Sequence, residues 1–385
     1  MDNLNNLESR STELNLHKER LLTYVDQELS RYSKQINPLL ELRHNLFSVG
    51  GTEFDPTMSI DSQLYEHPAY NVDFIGHDMG LRNGNSLEYH QTTEKYDRGL
   101  SEEYAERDKI YRQAIMKVAQ NLGFISTTVG IPTEDVDRSI GILDSELQPI
   151  EEKVAAIVIN GAAGMSNVKR IRDAIRNIES GAIDTNRIIL TAGTRPVGEA
   201  EKGRMKAWFR AGESEFESMK LATTDLLGVE FDEKTTVIPV DYGDNLTAKI
   251  QTAEAVIGEK VVTIEAVEAP YDTNRLMDDG SLAKRINTIE AFEAVLPLVE
   301  QIQGAIVMQS HDAWTPWQNL IAHKVFGIEQ GRNIYPAGPF NVERVHLVED
   351  NGQVTIDIAS PQDVVDEIIK TYKQLVRMSV ELQST

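Results

Sequence analysis

The 385-residue chain contains no cysteine. Disulfides, thiolate metal sites, iron–sulfur clusters and cysteine nucleophiles are therefore excluded, and a reducing compartment is the expected setting. Long apolar runs are missing too. VAAIVI and GAIVM, the longest of them, fall far short of the ~20 residues a membrane helix needs. The opening MDNLNNLESRSTELN has no basic stretch followed by an apolar one, so no secretory signal is expected. Positive charge is scarce, with 38 Lys and Arg against 61 Asp and Glu, a net charge of −23. Such a chain repels nucleic-acid phosphates and anionic membranes. A small anion can still be held by a few arginines and helix N-termini. The expectation is a cytoplasmic, soluble protein with a small-molecule partner, no nucleic acid and no membrane.

What is present describes a globular protein, with 41% hydrophobic and 26% charged residues. The length exceeds what one core usually organises, which implies attachments or a second domain. Leu22, Val25, Leu29, Tyr32 and Ile36 recur at spacings of three and four, predicting a helix over Thr12–Phe47. Ser11 or Thr12 would cap it, and Pro38 would kink or divide it. So narrow a stripe also suits a coiled-coil seam and hence a homodimer, although packing on the chain's own core is favoured. Val49–Gly99 lacks periodicity and reads as an irregular segment. His67, His77, Asp78 and His90 within it fit no metal-ligand spacing, so no metal is expected. A helix over Ser101–Leu122 and a short acidic connection, Ile131–Ile150, follow.

From Val154 onward short apolar runs alternate with helical patterns. VAAIVI (154–159), RIILT (187–191), TTVIPV (235–240), KVVTIEA (260–266) and GAIVMQS (304–310) read as strands. Helices are predicted over Asn167–Ser180, Gly212–Leu227, Leu246–Ile257, Leu282–Ile302 and Trp314–Phe326. The alternation implies βαβ units and a parallel sheet. Val345–Val348 and Val354–Ile358 flank Asn351–Gly352, a strong hairpin signal. A final amphipathic helix starts at Pro361 behind Ser360.

Three strand ends carry the candidate site, because ligands of open parallel sheets bind outside the carboxyl ends of the strands. The first, Asn160, Gly161, Ala162, Ala163 and Gly164, is small enough to let a ligand reach backbone amides. The plainer alternative is a tight turn. The second, Thr191, Gly193, Thr194 and Arg195, adds a planar cation suited to carboxylate or phosphate, unless that cation is a paired surface residue. The third places Ser310 beside His311, a candidate acid–base group or a hydrogen-bonded structural histidine. Glu215 and Glu290 start helices on the same side of such a sheet, as do Asn287 and Thr288. They are candidate carboxylates and ligand contacts, or complements to the helix dipole.

These segments, in this order, resemble the ElyC/SanA/YdcF family of bacterial α/β proteins. AIVINGAA is similar to that family's opening strand and glycine-rich loop, and RIILTAG to its second strand. SEFESMKLATTDLLGV is similar to its Glu-bearing helix, and RINTIEAFEAV with GAIVMQS to its Asn-Thr-x-Glu helix start and the strand that follows. The resemblance covers residues of about 154–340. It implies a pocket for a nucleotide-like ligand such as S-adenosylmethionine, with His311, Glu215 and Glu290 as candidate catalytic groups. Where the family carries a run of glycines this chain has Asn-Gly-Ala-Ala-Gly, and His311 follows Ser310 directly.

The combined expectation is an α/β fold, an open and mostly parallel sheet with helices on both faces (Rossmann-like). A helical and irregular N-terminal region (1–150) packs on that domain (151–345), and a C-terminal hairpin and helix (346–385) complete it. Two functions follow: a small-molecule-binding protein, with or without catalysis, or an interaction protein dimerising through its N-terminal helix.

Overall fold

The computed structural model describes residues 2–47, 110, 113–115, 117–119, 121–122, 124, 150, 152–162, 164–198, 202, 210, 212–242, 245–271, 286–310, 314–328, 330–338, 346–348, 354–356 and 361–384. The irregular segment 49–99, with its four candidate metal-ligating residues, lies outside them. So do residues 101–109, 131–149 and the turn at 351–352.

β1 (Val154–Asn160) is buried along its whole length, because it lies inside the sheet with helices on each face. β2 (Arg187–Ala192), β5 (Lys260–Glu268), β6 (Ala305–Gln309) and β7 (Ile334–Ala337) run parallel to it. β3 (Thr236–Pro239) and β4 (Thr247–Ile257) extend the sheet antiparallel, giving seven strands in the order β3-β4-β5-β2-β1-β6-β7. One face packs Ile157, Ile159, Ile188 and Leu190 against Ile171 and Ile175 of α2 (Met165–Glu179) and Phe216 and Met219 of α3 (Glu215–Leu227). The other packs Val158, Ile189 and Met308 against α4 (Thr288–Glu293), α5 (Leu296–Glu300) and α6 (Thr315–Ala322) through Phe292, Leu298 and Ile321. The fold is the expected open α/β sheet.

Several elements differ from expectation. Residues predicted as a helix over Leu246–Ile257 form β4. Ala, Lys, Gln and Glu favour helix, but Ala248 and Ile250 fill one face's core and Ala253, Ala255 and Ile257 fill the other. The covered face changes at Gln251 and Thr252, which breaks the simple alternation a strand shows. Gly258, at φ 60°, then supplies the left-handed residue of a two-residue turn into β5. The helix expected over Leu282–Ile302 is two short helices, parted at Ala294–Val295 with Pro297 opening the second. α6 ends earlier than expected and passes into a π-helical turn, His323–Ile328. β7, with Pro336 inside it, was not foreseen; proline is tolerated there because β7 is an edge strand.

The chain divides into two compact units, Met1–Glu19 with Thr128–Asp357 and Arg20–Thr127 with Ile358–Thr385. The first holds the sheet and the hairpin of β8 (His346–Val348) and β9 (Val354–Ile356). The described residues of the second are mostly helical, and α1 begins in the first unit and continues into it. α1 (Asp2–Phe47) passes undivided through Pro38, and Ser11 and Thr12 lie inside it rather than at its start. Its Val25, Tyr32 and Ile36 are buried within this unit. Tyr32 meets Phe124 edge-on at 6.0 Å, and Arg31 donates to the Leu122 carbonyl at 2.8 Å. Ile368, Leu375 and Met378 of α7 (Pro361–Ser384) are buried, and Ser379 donates to Asp26 at 3.2 Å. α7 thus groups with α1, whereas the sequence-based division set it with the sheet. No described helix is long and apolar enough to cross a membrane.

Candidate functional site

β2 and β5 lie on one side of β1, β6 and β7 on the other. The winding therefore reverses between β1 and β6, and their carboxyl ends border the crevice where such sheets bind ligands. Ile159 is level with Gln309, so Asn160 ends β1 where Ser310 leaves β6.

The turn after β1 is held from several directions. The Gly161 N–H donates to the Thr191 carbonyl at 2.6 Å. A Cβ at Gly161 would lie 2.4 Å from the Ala192 Cβ, so close packing on β2 accounts for this glycine. Gly164 caps α2 with φ 56° and ψ −131°, a backbone that side chains disfavour. The Ala162 N–H donates to Asn167 Oδ1 at 2.8 Å. Buried Arg170 donates through one guanidinium nitrogen to the carbonyls of Asn160 and Gly161. The first turn of α2 has no acidic residue, so its positive end is left uncompensated by side chains. Ala163 lies outside the described residues.

At the end of β2 the candidates are largely engaged with one another. The Thr191 hydroxyl donates to the Ala291 carbonyl at 2.8 Å, tying α4 to the sheet. A Cβ at Gly193 would lie 2.3 Å from Ile286 Cγ2, so that glycine makes room for a neighbour. Thr194 is exposed. Arg195 Nε and Glu215 Oε1 form an ion pair at 2.6 Å, both side chains mostly shielded. The expected anion clamp and one expected catalytic carboxylate thus neutralise each other. Asn287 and Glu290 form a capping box on α4. Asn287 Oδ1 accepts from the Glu290 N–H at 2.8 Å, and Glu290 Oε2 accepts from the Asn287 N–H at 2.9 Å. Thr288 Oγ1 accepts from Asn160 Nδ2 at 3.5 Å, which links the start of α4 to the end of β1.

β6 ends differently. The Ser310 N–H donates to the Ala337 carbonyl at 2.7 Å, while its buried Oγ has no hydrogen-bond partner among the described residues. Gln309 Nε2 donates to Asp173 Oδ2 at 2.7 Å and to the Ser310 carbonyl at 3.3 Å, leaving Oε1 without a partner. Asn167 Nδ2, Gln318 Oε1 and Asn319 Oδ1 are likewise buried and unpartnered. These five polar groups sit on the first turn of α2, the end of β6 and α6. Folded proteins satisfy nearly all buried polar atoms, so each of these five groups is open to a hydrogen-bond partner from outside the described residues. Sequence reasoning missed Asn167, Arg170, Gln309, Gln318 and Asn319. The available signal was a polar residue where the pattern calls for an apolar one, as in AIVMQ or QNLIA.

His311 lies outside the described residues. Among the described residues no group of three His, Asp or Glu side chains could hold a metal ion. Comparison with protein-family models, curated proteins and solved structures finds no match.

Proposed function

We propose that the α/β unit binds a small molecule of the nucleotide-like or phosphorylated class in the crevice between the carboxyl ends of β1 and β6. The observation that carries this reading is the buried, unpartnered hydroxyl of Ser310 at the reversal of strand order. An unsatisfied buried polar group costs about 1–3 kcal/mol, a cost that a ligand's hydrogen bond removes. The resemblance of the loop order to the ElyC/SanA/YdcF family is the ground for this ligand class and for trying S-adenosylmethionine and sugar nucleotides.

Binding is better supported than catalysis, because Arg195, Glu215, Asn287 and Glu290 are committed to pairs and caps. If the bound molecule reacts, proton transfer falls to His311, the residue after Ser310. Dimerisation through α1 finds less support, since Val25, Tyr32 and Ile36 of its stripe are buried against the chain's own segments.

Thermal-shift measurements with nucleotides, S-adenosylmethionine and sugar nucleotides test the reading, together with native mass spectrometry of the purified protein. At least one compound should stabilise the protein, and Ser310→Ala should weaken its binding by roughly 2- to 10-fold, the worth of one hydrogen bond. A flat panel with no co-purifying molecule sinks the proposal. Gly161→Val is a poor probe, because its side chain would collide with Ala192 whether or not a ligand binds there.

A further inference from the structure

Resting on that reading, we infer that the α2 side of the crevice takes a phosphate-type anionic group, with Asn167 Nδ2 and Ser310 Oγ as its side-chain donors. The orientation of Asn167 is fixed by chemistry. Its Oδ1 accepts the Ala162 N–H, so the free end of the carboxamide must be the donor. That Nδ2 is buried, unpartnered and carried by a carboxamide facing the turn that leaves β1. Ser310 presents a second unpartnered group, its hydroxyl, just past the end of β6.

The start of α2 favours an anion, although the chain as a whole is strongly acidic and the Asp173 carboxylate, bonded to Gln309, lies further along the same helix. α2 has 15 residues, a glycine cap without a side-chain acceptor and no acid in its first turn. The Asn167 N–H turns back to the Gly164 carbonyl at 3.2 Å, and the amides before it receive no acceptor from a capping side chain or a first-turn acid. Arg170 lies one turn further along, its guanidinium spent on the Asn160 and Gly161 carbonyls. A sulfonium cation placed here would meet the same donors and the same positive field, which disfavours it.

The test uses the full chain, with inorganic phosphate, adenosine and adenosine 5′-monophosphate as probes in calorimetric titration. Wild-type protein should bind the monophosphate about tenfold more tightly than adenosine, since hydrogen bonds to a charged group are the stronger kind. Asn167→Asp keeps the acceptor for Ala162 but replaces the free donor with a negative oxygen. It should weaken phosphate and monophosphate binding by about tenfold or more and leave adenosine within about twofold. Ser310→Ala should weaken phosphate by roughly 2- to 10-fold. Circular dichroism checks each fold; Asn167→Ser and Ser310→Ala carry the test if Asn167→Asp is unfolded. Absent phosphate binding, equal affinity for adenosine and its monophosphate, or unchanged phosphate affinity in the variants overturns the inference. If Ser310→Ala still weakens another ligand of the panel, the crevice stands and only its anionic end is lost. If no probe responds to Ser310→Ala, both readings fall.

Discussion

Arg195 and Glu215 look like chemistry in the sequence and act as a joint in the structure, because each is the other's partner at 2.6 Å. Thr191 and Glu290 follow the same rule, one holding α4 to the sheet and the other closing its first turn. Ser310 and Asn167 are separated from them by hydrogen-bond accounting alone, which residue types cannot reveal. Tyr335 allows a test at this scale. Burial, and then its hydrogen bond and charge contact with Glu152, push its phenol up to about 12. The folded value is raised above the usual value near ~10. The stability it contributes is therefore present below about pH 10 and is lost as pH climbs through the folded value. Tyr335→Phe should remove one late-ionising phenol from an ultraviolet titration and lessen the alkaline loss of stability. An unchanged titration would refute the assignment.

α4 is only six residues long and depends on its capping box. Asn287→Ala should cost about 1 kcal/mol in denaturant unfolding. A negligible change would show that packing of Phe292 alone holds it. Elements of this molecule differ in how clearly the sequence announces them, and burial explains the difference. β1, β2 and β6 could be read directly, since strands covered on both faces need uninterrupted Val, Ile, Leu and Ala. β4 could not: its residues are good helix formers, and its covered face changes midway. β7 was hidden by its shortness and by Pro336. That the candidate loops follow β1, β2 and β6 was readable, because each comes after an uninterrupted apolar run. Which of the site's side chains are spare was not, because that depends on neighbours far along the chain.

Across the whole molecule, the pairing of α1 with α7 joins segments more than three hundred residues apart, with no local signal linking them. Leu375 is fully buried in that helical unit. Leu375→Asp should reduce helical dichroism, since an unpaired buried charge is strongly unfavourable. The phosphate-dependent response of the sheet unit should survive. Simultaneous loss of both would show that the two units fold as one.

Arg170 also bears on how fast a ligand can be captured. One guanidinium fastens the carbonyls of both Asn160 and Gly161, and it projects from the helix whose amides form the opposite wall. If a ligand docks at the start of α2 as proposed, the two carbonyls that Arg170 holds would need no reordering, and less ordering entropy would be lost on docking. Capture would then be governed by encounter and orientation, and differences among related ligands would be written chiefly in how long each one stays.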